Sequence, residues 1–247
     1  MAASLVVLTS ACASGAQSIS GTWDVIKVAV NRRDQAHWLY VSDDPRLLGR
    51  ELVIGPTMLT FNDGSDPCRK PAWEKRKARM GALIASSFPL DGSAVASPHD
   101  FSLDIQSAER VVANTVHCAA TDDGRDPQPW SQAWFVASAS APDRLLMRMG
   151  TSAILVLQRR SPQASPRASY ACRSAQGDAE KTICRSVALA GLDRSVAAAL
   201  ARRLRTDDSS AVNAQQAAWL KKRDACGANE RCLADAMRAR IDELMQN

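Results

Sequence analysis

Between residues 21 and 160 the chain alternates short apolar runs with turn residues at intervals of about ten positions, a pattern typical of antiparallel strands. Gly55-Pro56 and Gly150-Thr151 supply tight turns between neighbouring runs. The runs predicted as strands are 22–30, 51–54, 57–61, 101–105, 111–118, 132–137, 144–149 and 153–158. About eight strands of this kind predict a small antiparallel barrel or sandwich.

From Tyr170 onward the pattern changes to helical spacing. Proline is absent, alanine is abundant, and apolar residues recur every three or four positions. Ser186 is predicted to cap a helix that runs through about Arg205. A second helix is expected over 211–225, and Asn229 is expected to cap a third.

The two patterns are separated by residues 161–169 (SPQASPRAS), which contain two prolines and no apolar cluster. Such a composition predicts a linker. The expected fold is therefore α+β with two domains, an antiparallel β-barrel or sandwich over 17–160 and a disulfide-stapled helical hairpin or bundle over 170–247. A chain of 247 residues that is 46% hydrophobic allows each part a core of its own.

The first sixteen residues resemble the end of a secretory signal, because a short apolar run at 5–8 precedes small residues. The stretch ending at Cys12 also resembles a bacterial lipobox, in which that cysteine would be lipidated. Residues 1–16 are therefore expected to be a signal or lipoprotein leader, with cleavage and lipidation both left open. Apart from a lipid at Cys12, no membrane attachment is predicted.

Seven cysteines are an odd number for an oxidising compartment, but loss or acylation of Cys12 leaves an even set. The remaining cysteines are Cys68, Cys118, Cys172, Cys184, Cys226 and Cys232. The simplest pairing joins the two cysteines of the β part and closes two local loops in the helical part, although fifteen connectivities are formally possible. The parity favours export to the periplasm or to the outer membrane as a lipoprotein.

An ordered series of residues in the helical part is more specific than any single spacing. The series is Cys172, Glu180, Lys181, Ile183, Cys184, Leu189, Ala190, Leu192, Asp193, Gln216, Trp219, Leu220, Arg223, Asp224, Ala225, Cys226, Gly227, Cys232, Leu233, Arg240 and Ile241. In these residues the chain from Tyr170 onward resembles the LprI-like family, which is named after a lysozyme inhibitor. Leu200 and Met237 depart from the tyrosines that members often carry. The resemblance implies an exported helical hairpin module.

A second resemblance concerns the β part. Gly21-Thr22-Trp23 at the first predicted strand, with a final hairpin ending in Arg159-Arg160, is similar to the arrangement in lipocalin-type up-and-down barrels. Such a barrel implies an alternative function, the carriage of a small apolar ligand.

Charge narrows the choice of partners. A net charge of +5 is spread over both parts, so neither is strongly basic and no nucleic-acid partner is predicted. The densest cluster is 69–79 (RKPAWEKRKAR), expected to be a loop around Trp73 that is either simply solvated or in contact with an anionic surface. Trp73 and Trp219 are the candidate partner-binding residues, although Trp219 is expected to pack beneath the second helix.

The sequence offers no catalytic or metal-binding pattern. His37, His99 and His117 have none of the spacings of zinc or hydrolase motifs. Cys118 follows His117 directly, and neighbours on a strand point to opposite faces, so this pair is not expected to act as a nucleophile and base. The acidic residues at 122–126 lack the further ligands of a calcium loop. No enzyme activity, metal or cofactor is predicted.

These observations together predict an exported binding protein of the cell envelope. The resemblance to the LprI-like family implies its role, which is inhibition of, or immunity to, a lysozyme-type peptidoglycan-cleaving enzyme as a protein partner. The alternatives are the lipocalin-like carrier and a structural envelope protein without catalysis.

Overall fold

The structure, a computed structural model, describes residues 18–34, 39–62, 67–90, 94–119, 129–138 and 140–246. The chain is an α+β protein, as predicted, with a curled antiparallel sheet followed by helices. The leader with Cys12, the acidic cluster at 122–126 and His37 lie outside the described residues.

A single antiparallel sheet of nine strands forms the β part. Its strands are β1 Gly21–Val30, β2 Glu51–Ile54, β3 Met58–Phe61, β4 Cys68–Arg69, β5 Ala72–Arg79, β6 Arg110–His117, β7 Trp134–Ala137, β8 Arg144–Met149 and β9 Ala153–Arg159. They lie in the order β4-β3-β2-β1-β9-β8-β7-β6-β5. The prediction of about eight strands is thus close, and β4 and β5 are the strands that it lacks.

The two outermost strands, β4 and β5, are consecutive in the chain, so the sheet curls until its ends approach each other. A disulfide joins Cys68 of β4 to Cys118 at the end of β6, and its partners are 50 residues apart in the sequence. The Ala119 N–H donates to the carbonyl oxygen of Arg69 at 3.0 Å. These bonds join the two edges of the sheet at one end of the seam between them, and the result is a half-barrel.

Side chains fill the inner face of this half-barrel. Trp23 and Trp130 are each 1% exposed and Phe135 is fully buried, and aliphatic residues of β1, β2, β8 and β9 complete the cluster. Inward-facing residues of small barrels commonly form such a packed core. This packing does not favour a carrier that encloses an apolar ligand.

The outer face is covered by a helix that the sequence reading missed, α1 Met80–Ser87. Leu83 is buried against the sheet. The Trp134 Nε1–H donates to the Ser87 hydroxyl at 2.9 Å, and the Arg148 guanidinium donates to the Ser87 carbonyl oxygen at 3.0 Å. Burial lowers the pKa of Arg148. The strands next to α1 therefore have two buried faces.

The strand predicted at 101–105 is wrong. A short 3₁₀ helix, Pro98–Phe101, occupies its start. Ser97 and Asp100 form a reciprocal capping box, in which the Asp100 carboxylate accepts from the Ser97 N–H at 2.8 Å. Proline at the first helical position favours this turn. The local capping therefore overrides the alternation of apolar residues.

The loop predicted at 69–79 is also wrong, because most of it forms β5. This strand pairs with β6 along its whole length, from Ala72 opposite His117 to Arg79 opposite Arg110. Its side chains are largely exposed, so the sequence shows charge where a buried strand would show apolar alternation.

Four helices form the C-terminal part: α2 Asp178–Ile183, α3 Val187–Arg203, α4 Ser209–Asp224 and α5 Glu230–Met245. The predicted caps are confirmed, since the Ser186 hydroxyl accepts from the Leu189 N–H at 3.3 Å and the Asn229 side chain accepts from the Cys232 N–H at 3.1 Å. None of the helices in the described ranges is long and apolar enough to cross a membrane.

The stretch predicted as a linker, 161–169, contains neither helix nor strand. Its end is fastened to α3, because the Ser169 N–H donates to the Asp193 carboxylate at 2.6 Å. The Arg194 guanidinium also donates to the carbonyl oxygen of Arg167.

Candidate binding surfaces

The apolar residues of the series that resembles the LprI-like family pack together in the core of the helical part. One hydrophobic cluster joins members from all four helices, among them Ile183, Leu192, Trp219 and Ile241. Trp219 is only 9% exposed, and the Arg223 guanidinium lies 5.6 Å from the centre of its ring. Trp219 is therefore placed to support the fold, and most of its surface is closed to a partner.

Two further residues of the resemblance, Asp193 and Arg223, form a buried polar contact beside this core. Their side chains approach to 3.7 Å, and Arg223 also pairs with Asp224 at 2.7 Å. The Tyr170 hydroxyl donates to the carbonyl oxygen of Glu180 at 3.1 Å. Burial, and secondly the charge of Asp193, raises the pKa of Tyr170 to about 12. These contacts join α3 to α4 and attach the start of the helical part to α2.

Gln216 and Arg240 connect α4 to α5. Arg240 is 2% exposed, and its Nε–H donates to the Gln216 side-chain oxygen at 3.1 Å. Its Nη1 pairs with Glu243 at 2.8 Å, whereas its buried Nη2 has no partner in the described part of the chain. The arrangement gives this pair a structural role.

Two disulfides staple the helical part. Cys172 bonds to Cys184 and Cys226 bonds to Cys232, with sequence separations of 12 and 6. These are the local pairs that the cysteine spacing favours. Short closed loops of this kind restrict the unfolded chain and stabilise the fold by about 2 to 3 kcal/mol each.

An exposed feature of the helical part is the corner between α3 and α4, residues 201–211, which we call the α3–α4 corner. Its Arg203 and Asp207 side chains pair at 2.8 Å, and the Asp208 carboxylate accepts from the Ser210 N–H at 2.9 Å. Arg202 and Arg205 are exposed and, among the described residues, lie beyond 4.0 Å of any carboxylate. Within the described residues, the corner thus presents two exposed guanidinium groups without a carboxylate partner.

The helical part touches the sheet through α3. The Ser195 hydroxyl donates to the carbonyl oxygen of Leu48, and Gly191 lies so close to Gly49 that a Cβ on Gly191 would come within 2.5 Å of the Gly49 oxygen. A cleft of about 250 Å³ follows this contact. It is lined by Val25, Ile26, Leu48, Gly49, Gly191, Arg194 and Ser195.

The second charged surface is the cationic edge, defined here as Lys75, Lys77, Arg79 and Arg110 on β5 and β6. All four side chains are exposed, and the register places them on the same face as Trp73. The structure gives none of them a carboxylate partner among the described residues. Val112, directly opposite Lys77, is 45% exposed.

Trp73, the other predicted contact residue, lies at the inner end of this edge. It is half-buried, and its ring meets Phe135 edge-on with a centroid distance of 5.6 Å. On the opposite face of the same pair of strands, His117 Nε2 lies 3.6 Å from Glu74, and both side chains are mostly exposed. Trp73 thus packs at the margin of the core. The cations lie on the same face of the sheet, but they are exposed to solvent.

The described residues bear on the nucleophile and the metal site that the sequence raised. Cys118 is bonded to Cys68 and so is not available as a nucleophile. Within the described ranges, no three His, Cys, Asp or Glu side chains are grouped closely enough to hold a metal ion. The α3–α4 corner and the cationic edge are candidate binding surfaces among the described residues.

The sequence predicted these two charged surfaces only in part. The cluster at 69–79 signalled the charge of the cationic edge but not its strand, and nothing in the helical pattern distinguished Arg202 and Arg205 from other exposed cations.

In comparisons with protein-family models, curated proteins and solved structures, nothing matches this chain.

Proposed function

We propose that this chain is an exported envelope protein that inhibits, or confers immunity to, a peptidoglycan-cleaving enzyme of lysozyme type, without catalysis of its own. The observation that supports this proposal is the packing of the apolar residues of the LprI-like series in one disulfide-stapled core. That core leaves the α3–α4 corner exposed on a rigid support. Rigid elements lose little conformational entropy on binding, which favours tight inhibition.

The chemistry of the corner suits the cleft of such an enzyme. Glycoside-cleaving sites commonly place two carboxyl groups on either side of the scissile bond. Arg202 and Arg205 project from the corner without a carboxylate partner among the described residues. A guanidinium group forms strong, directional hydrogen bonds with a carboxylate. Entry of the corner into the cleft would therefore occupy the catalytic acids and exclude the glycan.

The proposal includes the compartment and the organisation of the chain. Three disulfides suit an oxidising compartment, so we place the protein in the periplasm or, if Cys12 is lipidated, at the outer membrane. The hydrophobic clusters of the β part and of the helical part share no residue, which supports two domains joined at 161–169. A net charge of +5 slows the encounter with strongly basic enzymes, so the preferred target carries less positive charge.

The test is the clearing of a peptidoglycan suspension by a panel of lysozyme-type enzymes that differ in net charge. We expect the purified protein to slow at least one of them. Replacement of Arg202 and Arg205 together by alanine should weaken inhibition by about a hundredfold or more, because two bonds to charged groups are lost and each costs about 1.5 to 3 kcal/mol. The matched control, Lys221→Ala with Lys222→Ala, removes the same charge from an exposed part of α4 and should inhibit normally.

Two results would contradict the proposal. If the protein slows no enzyme of the panel and retains no wall hydrolase from a lysate, the inhibitory function is wrong. If it inhibits and the arginine variant inhibits equally well, the function stands but the corner is not the inhibitory surface.

A further inference from the structure

The cationic edge has an unpaired backbone as well as charge. Within the described part of the chain, β5 pairs only with β6. Just beyond the strand, the Met80 N–H donates to the Glu109 carbonyl oxygen at 2.9 Å. Backbone groups on an antiparallel strand face one neighbour and then the other at alternate residues. The backbone of Arg76 therefore faces β6, and those of Lys75 and Lys77 face away from it.

The next strand pair supports this assignment. The Val116 N–H donates to the carbonyl oxygen of Ala133 in the stretch leading into β7, so alternate residues of β6 face β7 and the others face β5. Ala113, the residue opposite Arg76, belongs to the set that faces β5. Within the described residues, the N–H and C=O groups of Lys75 and Lys77 thus lie unpaired on the outer edge, beside their exposed ammonium groups.

The charges decide which strands this edge can accept. Arg79 lies directly opposite Arg110, and like charges in that position destabilise a pair of strands. A second copy of β5 would add a further row of cations. Electrostatic repulsion therefore disfavours pairing between two copies of this edge. Charged residues on edge strands are a known protection against such self-pairing. The same row attracts a strand that carries carboxylates.

We propose that β5 is a docking edge for an extended acidic segment of a partner protein, which adds to the sheet as a tenth strand. Backbone hydrogen bonds to Lys75 and Lys77 supply affinity, as in other cases of strand addition. Acidic side chains at alternate positions of the segment face Lys75, Lys77 and Arg79. This site lies apart from the α3–α4 corner and does not depend on the proposed inhibition.

The surface is better suited to a peptide than to single-stranded nucleic acid. Proteins that bind single strands without sequence preference stack the bases on aromatic side chains. The aromatic residue of this face, Trp73, is turned against Phe135 in the core. The exposed apolar side chain on this face, Val112 of β6, has no aromatic ring on which a base could stack.

The test is a titration of the full chain with a short peptide in which Glu alternates with Val and Thr. A peptide with Lys at each Glu position is the charge control, and a single-stranded oligonucleotide is the control for polyanions in general. We expect the Glu peptide to bind at least about tenfold more tightly than the Lys peptide, because several cross-strand charge pairs contribute together. Lys75→Glu with Lys77→Glu should reverse the preference, whereas Lys221→Glu with Lys222→Glu on α4 should not.

Amide hydrogen exchange distinguishes strand addition from simple charge attraction in the unaltered protein. When the Glu peptide is bound, the exchange of the Lys75 and Lys77 amides should slow by about tenfold or more, since they gain hydrogen bonds. The Arg76 amide, already bonded within the β5–β6 pair, should change little. Binding without this alternation, or equal binding of the oligonucleotide, would overturn the proposal, as would a failure of the Glu peptide to bind.

Discussion

At the scale of single residues, Tyr170 gives a clear dependence of stability on pH. Burial, with the charge of Asp193, raises the pKa of its phenol from 10.0 to about 12 in the folded chain. A folded pKa above the unfolded value stabilises the protein fully below the unfolded pKa and progressively less as the pH approaches the folded pKa. We therefore expect the free energy of unfolding to fall as the pH rises above about 10.

The variant Tyr170→Phe tests this expectation. It removes the titrating group together with the hydrogen bond to the Glu180 carbonyl oxygen. Below pH 10 the variant should be less stable by about 1 kcal/mol, the usual net value of one such bond. Above pH 10 its stability should fall less steeply than that of the wild type. Urea unfolding at a series of pH values measures the loss of stability below pH 10 and the pH dependence above it. If the stabilities of variant and wild type fall equally steeply above pH 10, another group is responsible.

At the scale of elements, the contact between α3 and the connection from β1 to β2 depends on a glycine. A Cβ on Gly191 would lie 2.5 Å from the backbone oxygen of Gly49, which cannot move as a side chain could. Alanine normally favours a helix by about 1 kcal/mol over glycine. Here the steric conflict is expected to outweigh that gain, so Gly191→Ala should destabilise the protein by about 1 to 3 kcal/mol.

The matched control is Gly177→Ala, because nothing lies within 4 Å of the Cβ position at Gly177. That residue caps α2, where alanine in place of glycine should cost less than about 1 kcal/mol. Thermal and urea unfolding compare the two variants. If Gly191→Ala is as stable as the control or more so, the helical part does not rest on the sheet as closely as the structure indicates.

The elements that were predicted and those that were missed differ in what they bury. The long helices have one apolar stripe and a capping residue, and most strands bury one face, so periodicity identifies them. α1 is a short, mainly apolar segment whose helical period is weak. β5 exposes charges on both faces and gives no alternation. A charged edge strand of this kind can be identified only when the strand that it pairs with is known.

The candidate sites follow the same rule. The burial of Trp219 and the cysteine pairs follow from local spacing in the helical part. The cationic edge requires Arg110, which the chain brings opposite Arg79 from a distant part of the sequence. Composition therefore signals the charge, and only the register shows that four cations share one face.

At the scale of the whole molecule, the disulfides make the stability of the fold depend on oxidising conditions. Each of the six cysteines after Cys12 is bonded, one pair across the seam of the sheet and two within the helical part. Removal of the long-range Cys68–Cys118 bond should cost about 4 kcal/mol in the chain-entropy model, because its loop is long. The stability of the fold therefore depends on disulfide formation more strongly than that of a chain with local bonds alone.

Thiol titration of the denatured protein tests this dependence. Protein recovered from an oxidising compartment should show no free thiol at these six positions, whether Cys12 has been removed or acylated. The variant Cys68→Ala with Cys118→Ala should keep the two helical disulfides and unfold at a lower temperature, because only the closure of the sheet is lost. Intact mass then separates a shortened chain from a lipidated one. Free thiols at the helical cysteines of exported, folded protein would contradict both the pairing and the proposed compartment.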